Sequence, residues 1–118
     1  MKTLVIGGST NPERYSFKAI SMLREFDHEV VSYGLRTGIV ADVMIDTEML
    51  RYEGIDTVTL YLNPKIQEEF YEYILSLNPR RVIFNPGTEN PVFEELLQKK
   101  EIIAEEACTL VLLRTNQY

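Results

Sequence analysis

The sequence predicts an α/β fold: an open parallel sheet of about five strands with helices on both faces, forming a three-layer sandwich. Short apolar, β-branched runs such as Thr3–Ile6 have the composition of strands that are covered on both sides. Between these runs, apolar residues such as Phe17, Ile20 and Leu23 recur at helical spacing. Strand-like and helix-like segments alternate along the chain, which is the order expected of a parallel sheet.

Length and composition narrow the function classes. A chain of 118 residues is expected to form one domain, residues 1–118, with a single core. Its net charge of −6 argues against a nucleic-acid partner, because such partners need a cationic surface. One cysteine excludes an internal disulfide framework and favours the cytoplasm. No apolar run is long enough to cross a membrane, so we expect a soluble protein.

The first βα unit is the clearest part of the pattern. Its strand, Thr3–Ile6, ends at Gly7 and Gly8. A helix is predicted from Ser16 to Phe26, and a second strand from Glu29 to Tyr33. The crossover between the two strands should be right-handed, so both strands should end at the same edge of the sheet.

The middle of the chain contains one weak and one strong pattern. Within residues 39–54, Val40–Ile45 is predicted as a short edge strand and Thr47–Tyr52 as one or two helical turns. Thr57–Leu62 has a strong β pattern. A helix is then predicted from the Asn63-Pro64 pair, an N-cap followed by proline, to the residue before Asn78-Pro79.

The last third repeats the same alternation. Arg81–Phe84 is predicted as a strand, and Asn85–Thr88 as the turn that follows it. Asn90-Pro91 begins another helix with the same cap-and-proline pair. Ile102–Glu105 is predicted as a last short strand, and Ala107–Leu113 as either helix or strand, because a short apolar run has no diagnostic period.

The loop after the first strand has the chemistry of a phosphate site. Where a strand enters a helix through glycine and hydroxyl residues, backbone N–H groups face the opening and the helix dipole adds positive charge. Arg14 lies in this loop, and its guanidinium suits bidentate contact with phosphate. A second arginine, Arg36, lies in the loop Gly34–Gly38 after the second strand. The candidate ligand contacts are Gly8, Ser9, Thr10, Asn11, Arg14, Ser16 and Arg36.

The dinucleotide fingerprint is only partly present. It needs three glycines and an acidic residue at the end of strand two, whereas this chain has Gly7, Gly8 and then Arg36 beyond Tyr33. An arginine there points away from NAD and toward a ribose with an extra phosphate, as in NADP or coenzyme A (CoA). The simpler alternative is that the glycines only make a tight turn and Arg36 is a solvated charge.

These residues resemble a known family, the small Rossmann-like CoA-binding proteins related to the CoA-binding domain of succinyl-CoA ligase. The resemblance spans nearly the whole chain and includes residues Gly7–Ser16, Tyr61–Pro64, Asn85–Thr88 and Ala107–Thr109. It implies a Rossmann-like fold and adds Tyr61, Asn63 and Gly87 to the candidate ligand contacts. Gly34-Leu35-Arg36 stands where the family has Asn-Pro-Lys, which keeps a positive charge with a different shape.

Other chemistry has little support in the sequence. His28, the only histidine, is predicted at the sheet edge opposite the loops, and the carboxylates have no metal-ligand spacing. Cys108 is favoured as a small buried residue; if exposed, it would be a candidate for a mixed disulfide with the CoA thiol.

Aromatic and acidic residues near the predicted ligand edge also have two interpretations. Tyr15, Tyr33 and Tyr61 are candidates for an adenine pocket, although packing explains them as well. The carboxylates near that edge are expected to be solvated, because they would repel a phosphate. They are Glu89, Glu105 and Glu106.

The sequence therefore predicts a protein that binds CoA or an acyl-CoA, with no indicated catalytic reaction. Two alternatives stay open: a small NADP-binding oxidoreductase or a subunit of one, and an interaction module with a vestigial nucleotide pocket. The sequence does not decide the oligomeric state, and a homodimer is one possibility.

Overall fold

A computed structural model describes residues 1–118 as seven strands and five α-helices. The strands are β1 (Thr3–Ile6), β2 (Val30–Tyr33), β3 (Gly38–Val40), β4 (Val43–Asp46), β5 (Thr57–Leu60), β6 (Arg81–Phe84) and β7 (Ile103–Glu106). The helices are α1 (Tyr15–Glu25), α2 (Pro64–Gln67), α3 (Tyr71–Leu77), α4 (Pro91–Lys99) and α5 (Thr109–Arg114). A single 3₁₀ turn, Glu68–Phe70, joins α2 to α3.

The seven strands form one sheet in the order β3-β4-β2-β1-β5-β6-β7. β1 lies at its centre and pairs in parallel with β2 and β5. All other pairs are parallel too, except that β3 runs antiparallel to β4. The loops that follow β1, β2, β5, β6 and β7 therefore meet at one edge of the sheet, which is where open α/β sheets bind their ligands.

Two hydrophobic cores lie on opposite faces of the sheet. Val5 points to one face and packs with Ile20 of α1 and Leu113 of α5. Its neighbour Leu4 points to the other face, where the core includes Ile74 of α3 and Phe93 of α4. Because successive strand residues face opposite sides, the fully buried β1 needs helices on both faces. The predicted three-layer α/β fold is confirmed.

The predicted number of strands is wrong, because residues 38–46 form a hairpin. The sequence pattern suggested one edge strand at Val40–Ile45, whereas the chain reverses between β3 and β4. Ala41 makes this reversal with a φ of 55°, in the left-handed region. Alanine seldom adopts that conformation, so the sequence contained no turn signal there.

The helical turns predicted at Thr47–Tyr52 are also wrong. This segment is irregular, and two tyrosines hold it against the rest of the fold. The Tyr52 hydroxyl donates to Asp46 Oδ2, and the Tyr73 hydroxyl of α3 donates to the Leu50 carbonyl at 2.6 Å. Side chains distant in sequence therefore order a segment that local periodicity could not describe.

The other helix predictions are largely confirmed. Asn63 caps α2, since its Oδ1 accepts from the Ile66 amide at 3.0 Å, and the helical region ends at Asn78, whose φ is 49°. The predicted continuous helix is divided by the 3₁₀ turn. The ambiguous segment Ala107–Leu113 contains α5, a helix. None of the helices has the length and apolar character that a bilayer crossing requires.

Candidate functional site

A cleft of about 740 Å³ opens at the carboxyl ends of β1, β2, β5 and β6. Its size is within the roughly 300–1,000 Å³ typical of ligand-binding clefts. All ten candidate contacts from the sequence line it: Gly8, Ser9, Thr10, Asn11, Arg14, Ser16, Arg36, Tyr61, Asn63 and Gly87. The fold thus brings these residues together, and their part in binding stays a prediction.

Two glycines allow the loop 34–38 to lie directly against the first loop, residues 7–14. A Cβ at Gly34 would collide with the Gly8 carbonyl oxygen and lie 2.8 Å from Ile45 Cγ2. A Cβ at Gly38 would collide with the side-chain methyl of Thr10. Because neither glycine has a side chain, the two loops touch and Arg36 lines the same cleft as Arg14.

The backbone amides of the two glycines in the first loop do not face the cleft as free donors. The amides of Gly7 and Gly8 both donate to the Tyr33 carbonyl, at 2.8 and 2.9 Å. The expectation of bare N–H groups is therefore wrong at these two positions. It holds at Ser9 and Thr10, whose amides have no hydrogen-bond partner within the protein.

The N-terminus of α1 supplies further free donors. Its N-cap residue, Arg14, makes no side-chain capping bond, and the amides of Tyr15, Ser16 and Phe17 are unpaired. By contrast, asparagine side chains cap α2 and α4. Ser16 is only 4% exposed and lines the cleft, yet its hydroxyl has no partner within the protein. Unpaired amides at the positive end of a helix dipole favour an anion there.

Ser9 and Asn11 shape the first loop. The Asn11 amide donates to Ser9 Oγ at 3.0 Å, and the Glu13 amide donates to Asn11 Oδ1 at 3.0 Å. Such side-chain turns hold a loop in one conformation without regular secondary structure. The hydroxyl proton of Ser9 and the side-chain NH₂ of Asn11 stay available to a ligand.

The charge of the cleft is positive, although the protein has a net charge of −6. Arg14 and Arg36 are exposed and neither pairs with a carboxylate, and no aspartate or glutamate lines the cleft. Three of the five other arginines form ion pairs: Arg24 with Asp42, Arg80 with Asp56 and Arg81 with Glu105. Two unpaired guanidiniums beside free amides form a local site for an anionic group.

The side of the cleft formed by the loops after β5 and β6 carries no charged side chain. This uncharged side consists of residues 61–63 and 86–88. Burial raises the pKa of Tyr61 to about 12, so its phenol is neutral at physiological pH. The Gly87 amide donates to Glu89 Oε1 at 2.9 Å, so Glu89 holds this turn, whereas the sequence suggested that it is only solvated.

A buried hydrogen-bond network supports the same side of the cleft. Asn85, which is 2% exposed, donates from Nδ2 to Thr59 Oγ1 at 2.6 Å and to the Leu60 carbonyl at 2.9 Å. Its Oδ1 accepts from the Thr109 amide at 2.9 Å. One side chain thus connects the ends of β5 and β6 to the start of α5, because all three lie at the same sheet edge.

The comparison with sequence models of protein families identifies the family of this chain. Residues 1–114 match the sequence model of a family described as a CoA binding domain. The chain belongs to this CoA-binding domain family. Membership supports a CoA-binding role in general, and it confirms the resemblance seen in the sequence. No curated protein matches the chain.

Solved structures have the same fold as this chain. A crystal structure of an uncharacterized protein has 44% sequence identity and a TM-score of 0.96, and the match covers 99% of this chain and 97% of that one. A protein from Thermus thermophilus has 18% identity and a TM-score of 0.86, with 99% and 90% covered. A hypothetical protein from Pyrococcus horikoshii OT3 has 20% identity and a TM-score of 0.82, with 95% and 81% covered. The latter two share the fold.

The tyrosines of this CoA-binding domain have different places. Tyr61 and Tyr15 line the cleft, and Tyr15 is 65% exposed with Lys18 Nζ 5.2 Å from the centre of its ring. Tyr33 lies away from the cleft, with its ring 5.2 Å from that of Phe70 in an edge-on contact. Packing therefore explains Tyr33, and Tyr61 also packs against the core beside α1, whereas the exposed Tyr15 stays available to a flat ligand group.

Cys108 and His28 both lie outside the cleft. The sequence favoured a buried Cys108, but its side chain is only partly buried and precedes α5. The ring of His28, before β2, lies 4.9 Å from that of Tyr118. Burial and the nearby charges of the N-terminal amino group and Arg81 lower the pKa of His28.

Of the two remaining carboxylates, Glu106 is exposed, as predicted, whereas Glu105 is not simply solvated. Glu105 pairs with the buried Arg81 at 3.3 Å. Burial raises the pKa of Glu94, and the neighbouring carboxylate of Glu106 raises it further. No group of histidine, cysteine, aspartate or glutamate side chains is arranged to hold a metal ion.

Proposed function

We propose that the cleft binds CoA or an acyl-CoA, and that the first loop, the start of α1 and Arg36 hold its phosphates. The observation that carries this proposal is the set of unsatisfied donors along one side of the cleft. Unpaired amides, the free hydroxyl of Ser16 and two unpaired guanidiniums converge there on a protein that is otherwise acidic. These residues fit a ligand with several phosphate oxygens.

Each phosphate would exchange its hydration shell for fixed protein donors. The first loop is held by hydrogen bonds to Ser9 Oγ and Asn11 Oδ1, and the other amides belong to α1, so little conformational entropy is lost on binding. Arg14 and Arg36 add positive charge where a phosphate is most anionic. CoA has a pyrophosphate and a 3′-phosphate, which supplies enough acceptors for both arginines.

The uncharged side of the cleft suits the rest of the ligand. Residues 61–63 and 86–88 line this side with backbone and uncharged side chains. The pantetheine arm of CoA carries amides and a thiol without charge, so we assign it to this side. The arm then leaves along the edge formed by the ends of β5 and β6.

The proposed role is recognition of the ligand. No histidine, cysteine, lysine or carboxylate lines the cleft, and Tyr61 is neutral near physiological pH. General acid–base chemistry uses groups that gain or lose a proton near the working pH. A binding function without a reaction is therefore favoured, and it stays a prediction.

NADP is the second candidate ligand. Arg36 follows β2, at the place where NAD-binding proteins hold the ribose hydroxyls with an acidic residue. A guanidinium there suits a ribose phosphate, which both NADP and CoA carry. Membership of the CoA-binding domain family favours CoA.

Calorimetric titration with CoA, NADP and NAD in parallel tests these assignments. We expect CoA to bind, and we expect Arg14→Gln and Arg36→Gln each to weaken it about tenfold, because a hydrogen bond to a charged group contributes about 1.5 kcal/mol. Lys100→Gln is the matched control, since it removes one positive charge at the end of α4, outside the cleft.

The outcomes separate the alternatives. Binding of NADP with no heat from CoA would replace the proposed ligand, and no heat from any of the three would indicate a vestigial pocket. If Lys100→Gln weakens CoA binding as much as the arginine variants do, general charge explains the affinity and the assigned phosphate contacts are wrong.

A further inference from the structure

Gln67 makes three hydrogen bonds from a fully buried position between the loops of the uncharged side of the cleft. Its side chain is 0% exposed. Its Nε2 donates to the Leu62 carbonyl and to the Thr88 carbonyl, both at 2.8 Å, and its Oε1 accepts from Asn90 Nδ2 at 3.0 Å. Both amide protons and the carbonyl oxygen are therefore in use.

The two carbonyls that Gln67 binds belong to different loops of the uncharged side of the cleft. Leu62 follows β5, Thr88 follows β6, and both line the cleft. The side chain of Gln67 thus spans the two loops from behind. Its own position follows from α2, whose N-cap, Asn63, also lines the cleft.

Asn90 fixes the orientation of the Gln67 amide. Its Nδ2 donates to Gln67 Oε1 and to the Tyr71 hydroxyl, at 3.0 and 2.8 Å, and its Oδ1 accepts from the Phe93 amide at 3.1 Å. Since Oε1 of Gln67 must face this donor, its NH₂ must face the two carbonyls. The start of α4 therefore sets the direction in which Gln67 points.

We propose that Gln67 is a positioning residue that sets the spacing between the loop after β5 and the loop after β6, and so the width of the uncharged side of the cleft. The inference rests on the proposed function, in which this side takes the pantetheine arm. Without Gln67, two carbonyls in a largely buried place lose their donor, and they regain one only if the loops separate to admit water.

The phosphate side of the cleft should not depend on Gln67. The first loop is held by the bonds of Gly7 and Gly8 to Tyr33 and by its contact with Gly34. None of these contacts involves α2 or the loop after β6. Loss of Gln67 should therefore weaken CoA more than it weakens a ligand that has only the nucleotide part.

The experiment compares CoA with adenosine 3′,5′-bisphosphate in the variant Gln67→Met, which keeps the length of the side chain and removes its amide. We expect the affinity for CoA to fall about tenfold relative to that for the bisphosphate. Ile74→Val is the matched control, because Ile74 is also fully buried on the helical segment that follows β5 and does not line the cleft. It should leave the ratio of the two affinities unchanged.

Hydrogen exchange without ligand provides a second readout. In Gln67→Met the amides of residues 61–63 and 87–89 should exchange faster, while those of β1 should not. If Gln67→Met does not fold, Asn90→Asp replaces it, since aspartate keeps the capping oxygen for Phe93 and removes the donor to Gln67.

Each result decides one question. Equal losses of affinity for both ligands, or an effect of Ile74→Val on their ratio, would show that Gln67 acts only through stability. Unchanged exchange in the two loops would overturn the positioning role directly. If the wild-type protein binds neither ligand, the proposed function fails, while the exchange measurement still decides whether Gln67 holds the two loops.

Discussion

Gly34→Ala tests whether the contact between two loops builds the cleft. A Cβ at this position would lie 2.8 Å from Ile45 Cγ2 and 3.2 Å from the carbonyl carbon of Gly8, and closer still to the Gly8 oxygen. Ordinary contacts between carbon atoms are about 3.5–4.0 Å, so the loops must separate by roughly 1 Å. The φ of Gly34 is not in the left-handed region, and the collision alone therefore determines the cost.

The expected magnitude follows from the type of collision. Backbone cannot rotate away as a side chain can, so the cost should be that of overpacking, about 2 kcal/mol. For a chain of this size, that corresponds to a melting temperature lower by about 8 °C. Arg36 should also move away from the first loop, and we expect weaker CoA binding as a result.

Gly38→Ala is the matched control. It lies in the same loop, and its added Cβ would meet only the side chain of Thr10, which is exposed and can turn. We expect it to cost less than about 1 kcal/mol. Thermal unfolding followed by circular dichroism measures both variants. If they lower the melting temperature equally, close approach of the two loops does not determine the stability of this edge.

Two further predictions concern stability. Asn90→Ala should lower the free energy of unfolding by about 3 kcal/mol, because it removes a helix cap and two further hydrogen bonds of the Asn90 side chain. Asn63→Ala removes only an exposed cap and should lower it by about 1 kcal/mol. Urea unfolding compares the two variants, and equal losses would contradict the role of the buried network. The pKa of His28 is lower in the folded protein than in the unfolded chain, so as the pH falls the unfolded chain binds a proton at this histidine first. The folded protein should therefore lose stability below about pH 6.5. His28→Gln should remove that part of the fall in melting temperature between about pH 7.5 and 5.5, and an unchanged profile would show that other groups cause it.

Local sequence signals predicted most of the fold correctly. Apolar runs such as Thr3–Ile6 and cap-and-proline pairs such as Asn90-Pro91 depend on neighbouring residues only, and the structure contains the strand and the helix that they indicate. The sequence did not predict the β3–β4 hairpin, because Ala41 adopts a conformation that alanine seldom takes. The conformation of the segment after β4 was not predicted either, because Tyr52 and Tyr73 order it through contacts distant in sequence.

The location of the cleft could be predicted from the sequence, because it depends on where parallel strands end. Loops that follow parallel strands meet at one edge, so the order of strands and helices along the chain is enough to place Arg14 and Arg36 at one cleft. The sequence contained no signal for Gln67, because a polar residue in an amphipathic segment is usually exposed. Only its contacts with Leu62 and Thr88 distinguish it.

The sequence by itself determined the alternation of strands and helices, the edge where the loops meet, and the residue types there that suit phosphate. Only the tertiary structure decided which of those groups are free to bind. The amides of Gly7 and Gly8 are bonded to Tyr33, whereas those of Ser9 and Thr10 are not. The physical reason is that a donor becomes unavailable through its neighbour in space, and in a parallel sheet that neighbour comes from a distant part of the chain.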